Sequence, residues 1–106
     1  MSSPAPADLR LMYFDDCPNW RLADARLKEA LDSVGADPSS VVYVRVTSAE
    51  QADAAGFRGS PTILMDGSDP FADGEAPTGL SCRIYRTPLG VEPAPTVEQL
   101  RAVLSR

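Results

Sequence analysis

Two hydrophobic periods alternate along this chain, and that alternation restricts its fold more than any other feature. Leu9-Arg10-Leu11-Met12-Tyr13-Phe14 is a short apolar run, the signature of a buried strand. After Asp15-Asp16 the period changes: Trp20, Ala23, Leu27, Ala30, Leu31 and Val34 recur at helical spacing. Pro18 suits the first helical position, with Asp16 or Cys17 as the cap, and Gly35 supplies a stop. Val41–Val46 is β-branched and returns to strand. A strand-helix-strand opening of this length predicts a parallel pair joined by a right-handed crossover.

The second half repeats the alternation with shorter pieces. Thr47-Ser48-Ala49-Glu50 has the capping-box pattern before an Ala-rich helix ending near Gly56. Thr62–Met65 is a third strand, closed by an Asp66-Gly67 turn. Ser68–Ser81 is a long Asp/Gly/Pro-rich loop, and Cys82–Arg86 alternates as a fourth strand. Thr87–Pro95 is a Pro/Gly connection, and Thr96-Val97-Glu98-Gln99 opens a last helix. The expected architecture is α/β in the order β-α-β-α-β-β-α. Its four-stranded mixed sheet is flanked by helices, and strands three and four pair antiparallel. Residues 1–8, rich in Pro, Ala and Ser, are expected to be a flexible lead-in to one domain over 9–106.

Charge and composition restrict function. The chain of 106 residues carries a formal charge of −5, so phosphate backbones have no general attraction for it and nucleic acid is not an expected partner. No stretch is long and apolar enough for a membrane span, and the N-terminus lacks the basic start and apolar core of a signal peptide; a cytoplasmic protein is expected. There is no histidine. Imidazole bases, Cys-His and Ser-His-Asp machinery and His-ligated zinc are therefore excluded, and neither a metal site nor a cofactor is expected.

The two cysteines remain, Cys17 and Cys82. Cys17 stands where the first strand meets the first helix, at the positive end of the macrodipole, where a thiolate is stabilised. Asp15 and Asp16 oppose that effect unless they point to solvent; a proton-transfer role for them is the lesser reading. Trp20 reads as helix packing that also screens one side of Cys17. If strands three and four form a hairpin, Cys82 falls at the far end of the sheet and reads as a core cysteine. The long loop before it keeps a Cys17–Cys82 bridge as the alternative. Arg83 and Arg86 read as a solvated strand face, with binding of an acidic ligand as the alternative.

The element order resembles the thioredoxin-like superfamily over roughly Leu9 to Leu104. Cys17-Pro18-Asn19-Trp20 stands at the redox-motif position, and Gly59-Ser60-Pro61-Thr62 precedes the third strand. The resemblance implies a cis Ser60–Pro61 bond facing the active thiol, with the Ser60 backbone presented to an extended substrate. It also implies that Pro18, Trp20, Ser60 and Pro61 contact that substrate. Trp20 replaces the second cysteine of the motif, so no neighbouring thiol resolves a mixed disulfide. The expected function is monothiol exchange by Cys17 with a protein or small-molecule thiol or disulfide, glutathione included. Two alternatives stand beside it. One is a redox-inactive binding module of the same fold. The other is thiolate binding or cleavage of soft metals and organometals, similar to alkylmercury lyases, with Cys82 and an aspartate as auxiliaries.

Overall fold

The first apolar run forms β1 (Leu9–Tyr13), and Val41–Arg45 forms β2 alongside it in parallel register, Leu9 opposite Val41 and Tyr13 opposite Arg45. The computed structural model describes residues 8–72, 79–80 and 82–104. Residues 1–7 of the expected flexible lead-in, and 73–78 and 81 of the expected loop, lie outside the described residues. Between β1 and β2 runs α1 (Trp20–Ser33), followed by a short 3-10 turn at Pro38–Ser40. The helix starts two residues later than Pro18 suggested. Pro18 and Asn19 form a turn whose carbonyls accept the Arg21 and Leu22 amides at 3.1 Å, and Asn19 is the cap. The helix ends as expected: Gly35 takes a positive φ of 77°, and the Gly35 and Ala36 amides return to Asp32 and Leu31 carbonyls at 3.1 and 2.9 Å.

α2 (Ala49–Ala55) is capped by Ser48, whose hydroxyl accepts the Gln51 amide at 3.1 Å. The reciprocal partner is Gln51, reaching back to the Thr47 amide at 2.6 Å, so the capping pattern sits one residue later than the Thr47–Glu50 reading. Left-handed Gly56 turns the chain so that the Phe57 amide meets the Ala52 carbonyl at 2.8 Å, which drops Phe57 into the core. β3 (Thr62–Met65) then pairs antiparallel with β1, giving a mixed sheet of order β2-β1-β3.

The pleat sorts the core by parity. Leu9, Leu11 and Ile63 point to one face, where Ala23, Leu27, Ala30 and Leu31 of α1 and Leu100 and Leu104 of α3 (Val97–Leu104) cover them. Met12 points to the other face and packs with Val46, Ala52 and Phe57. The expected capping box at Thr96 starts α3: Thr96 Oγ1 accepts the Gln99 amide at 3.1 Å, and Gln99 Oε1 accepts the Thr96 amide at 3.0 Å.

The expected four-stranded sheet is not what forms. β4 (Tyr85–Thr87) and β5 (Gly90–Glu92) make a separate antiparallel ribbon, with Thr87 opposite Gly90. The Thr87–Pro95 connection therefore contains a strand, and the fourth strand begins at Tyr85 rather than Cys82. The reason is the connection after β3. A hairpin needs a short turn, whereas the chain between Met65 and Cys82 is long enough to return to the start of β3. Cys82 accordingly runs parallel to Ser60, as a single bridge, and does not pair with β3 as an antiparallel neighbour. Arg26 fastens the ribbon to α1, its Nη1 donating to Glu92 Oε1 at 2.9 Å and to the Ala94 and Pro95 carbonyls at 3.2 Å.

Candidate functional site

The return of the chain brings the two cysteines together. Cys17 and Cys82, 65 residues apart in sequence, are joined by a disulfide with their Cα atoms 5.8 Å apart. This corrects the placement of Cys82 at the far end of the sheet and its reading as a core cysteine. The far-end placement followed from an assumed hairpin, and the hairpin does not form. It also corrects the picture of Cys17 as a lone thiol. The second sulfur comes from a distant loop, not from the position occupied by Trp20.

Each side of the pair is positioned by a different set of forces. Cys17 ends the turn after β1, its amide donating to the Phe14 carbonyl at 3.2 Å, and it precedes the first turn of α1. It is wholly buried. Its sulfur lies 3.6 Å from the Ser60 carbonyl oxygen. Ser60 is buried too, and its hydroxyl accepts the Phe14 amide at 3.4 Å. The Ser60–Pro61 peptide bond is cis. Pro61 is buried and Pro18 exposed. Trp20 is half-buried and stacks on Tyr13 with ring centroids 4.4 Å apart.

The Cys82 side is tied down by polar groups that sequence reading left on the surface. The Arg83 amide donates to the Ser60 carbonyl at 2.9 Å, which takes the backbone position expected to meet a substrate. The Arg83 side chain is not solvated. Its guanidinium donates to Asp69 Oδ2 at 2.6 Å, to the Phe71 carbonyl at 2.6 Å and to Thr62 Oγ1 at 3.3 Å. It also lies 4.5 Å from the centroid of the Tyr85 ring. Only 9% of the Arg83 side chain and 15% of the Asp69 side chain are exposed, so this ion pair sits largely out of water. Tyr85 is buried, packs edge-on against Phe71, and donates its hydroxyl to the Pro61 carbonyl. Burial raises the Tyr85 pKa well above the ordinary tyrosine value.

Sequence reading does not find Asp69 and Tyr85 as site-forming, and it takes Arg83 for a solvated or ligand-binding residue rather than the inward-facing clamp. One signal was available: Phe71, an aromatic residue inside a polar loop, packs against the core and draws the loop onto it. Nothing in the spacing pairs Asp69 with Arg83.

Asp15 and Asp16 are both exposed, and Asp15 pairs with Arg45 at 2.8 Å. The Phe14–Asp16 loop, the Arg45–Thr47 stretch and Leu80 line an open cleft of about 240 Å³, whose lining includes neither Cys17 nor Cys82. Among the described residues, no group of three or more acidic or cysteine side chains is disposed to hold a metal ion, and no helix is long and apolar enough to cross a membrane. Comparison with protein-family models, with curated proteins and with solved structures returns no match.

Proposed function

We propose that the protein performs thiol–disulfide exchange through the Cys17–Cys82 pair, as a thioredoxin-like redox protein acting on protein or small-molecule thiols, glutathione among them. One observation carries the reading: two cysteines distant in sequence are bonded where β1 meets α1, against Ser60 of the cis Ser60–Pro61 pair. In the forward direction two substrate thiols give up two electrons and two protons and become a disulfide. The Cys17–Cys82 bond takes the electrons, and its two sulfurs take the protons. A dithiol cycle is preferred to the monothiol one expected from the sequence, because each cysteine has a second sulfur beside it that could resolve a mixed disulfide.

The test is equilibration of the whole protein with glutathione buffers of graded ratio, followed by acid quench, alkylation and mass measurement. Exchange predicts a reduction potential in the range of exchange proteins, about −120 to −270 mV. A value below about −300 mV assigns the bond to structure and sinks the reading.

The same convergence of sulfurs favours a second reading. Reduced, Cys17 and Cys82 form a pair of soft donors suited to a thiophilic metal, with Asp15 and Asp16 immediately before Cys17 in the chain. That composition is similar to an alkylmercury-lyase centre, in which a carbon–mercury bond breaks, the carbon takes a proton and Hg(II) stays on the thiolates. Release of benzene from phenylmercuric acetate by the reduced protein, lost in Cys82→Ser, would support it. Stoichiometric mercury binding without benzene release restricts the reading to binding.

A further inference from the structure

Which sulfur of the pair meets an incoming thiol follows from an asymmetry between the two. We infer that Cys82 receives the attack and carries the mixed disulfide, while Cys17 is the leaving and resolving thiol. This rests on the exchange reading, and it reverses the role that the Cys17-Pro18 motif suggested.

Access is the first ground. Cys17 is wholly buried beneath Ser60 and the start of α1, whereas Cys82 lies open to solvent. A thiolate must approach the sulfur it attacks, so exposure selects between two otherwise bonded partners.

The second ground is the leaving group. Exchange is faster when the displaced sulfur is the better-stabilised thiolate. Cys17 stands before the first turn of the fourteen-residue α1, at the positive end of its dipole. Cys82 begins no helix; the chain continues into Arg83 and then β4. The Arg83 side chain is committed to Asp69, Phe71 and Thr62, so it is not a free cation for a Cys82 thiolate.

The third ground is what receives Cys17 once it is displaced. Its sulfur is already 3.6 Å from the Ser60 carbonyl oxygen, so the protonated thiol donates there without moving. Meanwhile Cys82 stays beside Ser60 because the Arg83 amide and guanidinium hold the segment independently of the disulfide. The mixed disulfide is thus held within reach of its resolving thiol.

The step balances as follows. A thiolate RS⁻ attacks Cys82 Sγ, and the R–S–S–Cys82 bond forms as the Cys17–Cys82 bond breaks. Cys17 Sγ departs with the electron pair and takes a proton from water. No oxidant or reductant other than the thiol is consumed.

The experiment uses the oxidised wild-type protein. It is exposed briefly to 2-mercaptoethanol, quenched with acid, alkylated with N-ethylmaleimide and digested for peptide mass mapping. The expected result is the mercaptoethanol adduct on Cys82 and the maleimide on Cys17, in at least about tenfold excess over the reverse arrangement. An adduct on Cys17, or an even split, overturns the assignment and leaves the exchange reading standing. No adduct on either cysteine of the native protein, while the urea-unfolded protein reacts, overturns both.

Discussion

Residues 9–45 and residues 68–92 are held by different forces. The first region, β1, α1 and β2, buries Leu9, Leu11, Leu27 and Leu31 against one another, with parallel backbone pairing between its strands. The second has little regular structure among its described residues, a two-stranded ribbon and single bridges. It is fastened by the largely buried Arg83–Asp69 pair, the Arg26–Glu92 pair, the Tyr85 hydroxyl and the disulfide. The candidate site lies where the two regions meet, with one cysteine from each. A rigid hydrophobic framework therefore presents Cys17, and a polar clamp delivers Cys82 to it. The first region is set by many small, non-directional contributions. The second depends on a few directional ones, so single changes there should act more selectively.

Four expected outcomes sharpen this contrast. The largest effect is on the link between the regions. The disulfide closes a loop of 65 residues, which in the chain-entropy account is worth up to about 4 kcal/mol. Denaturant melts of the oxidised and reduced protein should differ by a large part of that. An undiminished midpoint after reduction would mean the clamp alone holds the second region.

Next, Leu27→Ala empties a fully buried position in the framework and should cost about 3 kcal/mol, visible as a lowered urea midpoint. Amide exchange should quicken across β1 and α1 as well as the ribbon. Protection lost only near Leu27 would contradict a cooperative framework.

Arg83→Met leaves Asp69 and the Phe71 carbonyl without their cation, at a cost of about 2 kcal/mol; the residual exposure keeps this below the figure for a fully buried pair. Its signature is local. Re-formation of the Cys17–Cys82 bond from the reduced protein should slow, while β1–β2 amide protection stays. Unchanged reoxidation would show that the clamp does not position Cys82.

The smallest effect is that of Tyr85→Phe, about 1 kcal/mol at neutral pH from the lost bond to the Pro61 carbonyl. Its pH dependence carries the sign. The raised Tyr85 pKa means the fold retains the proton where the unfolded chain releases it. The wild-type contribution is therefore whole below about pH 10 and declines as pH rises above it. Tyr43, raised chiefly by burial and also by Asp24, declines in the same direction in both proteins. The gap between wild type and Tyr85→Phe should narrow on going from pH 8 to pH 11 in chemical melts. A gap that widens would place the ionised tyrosine in the fold.

The framework was legible because its information is local. Helical spacing from Trp20 to Val34, the stop at Gly35 and the β-branched run from Val41 each act over a few residues. The errors there are small and have local causes. The start of α1 moved from Pro18 to Trp20 because Pro18 and Asn19 close a turn first. Just past the framework, the box at Thr47 moved because Gln51, not Glu50, reaches back. In the second region the same kind of reading failed. Cys82–Arg86 alternates well enough for a strand, yet Arg83 turns inward to Asp69, Cys82 meets Ser60 as a single bridge, and the ladder begins at Tyr85.

From sequence alone followed the α/β class and the order as far as the third strand, the parallel β1–β2 unit, the capped third helix, and a cysteine where the first strand meets the first helix. Those depend on periodicity and capping, whose partners are near neighbours along the chain. The pairing of Cys17 with Cys82, the burial of Arg83 and the separation of the ribbon from the sheet were decided only in three dimensions. Each depends on where a long connection returns. A chain of that length has many ways to close at nearly equal entropic cost. What selects one of them is the set of contacts made on arrival: Phe71 against the core, Tyr85 on Pro61, and Arg83 between Asp69 and Ser60.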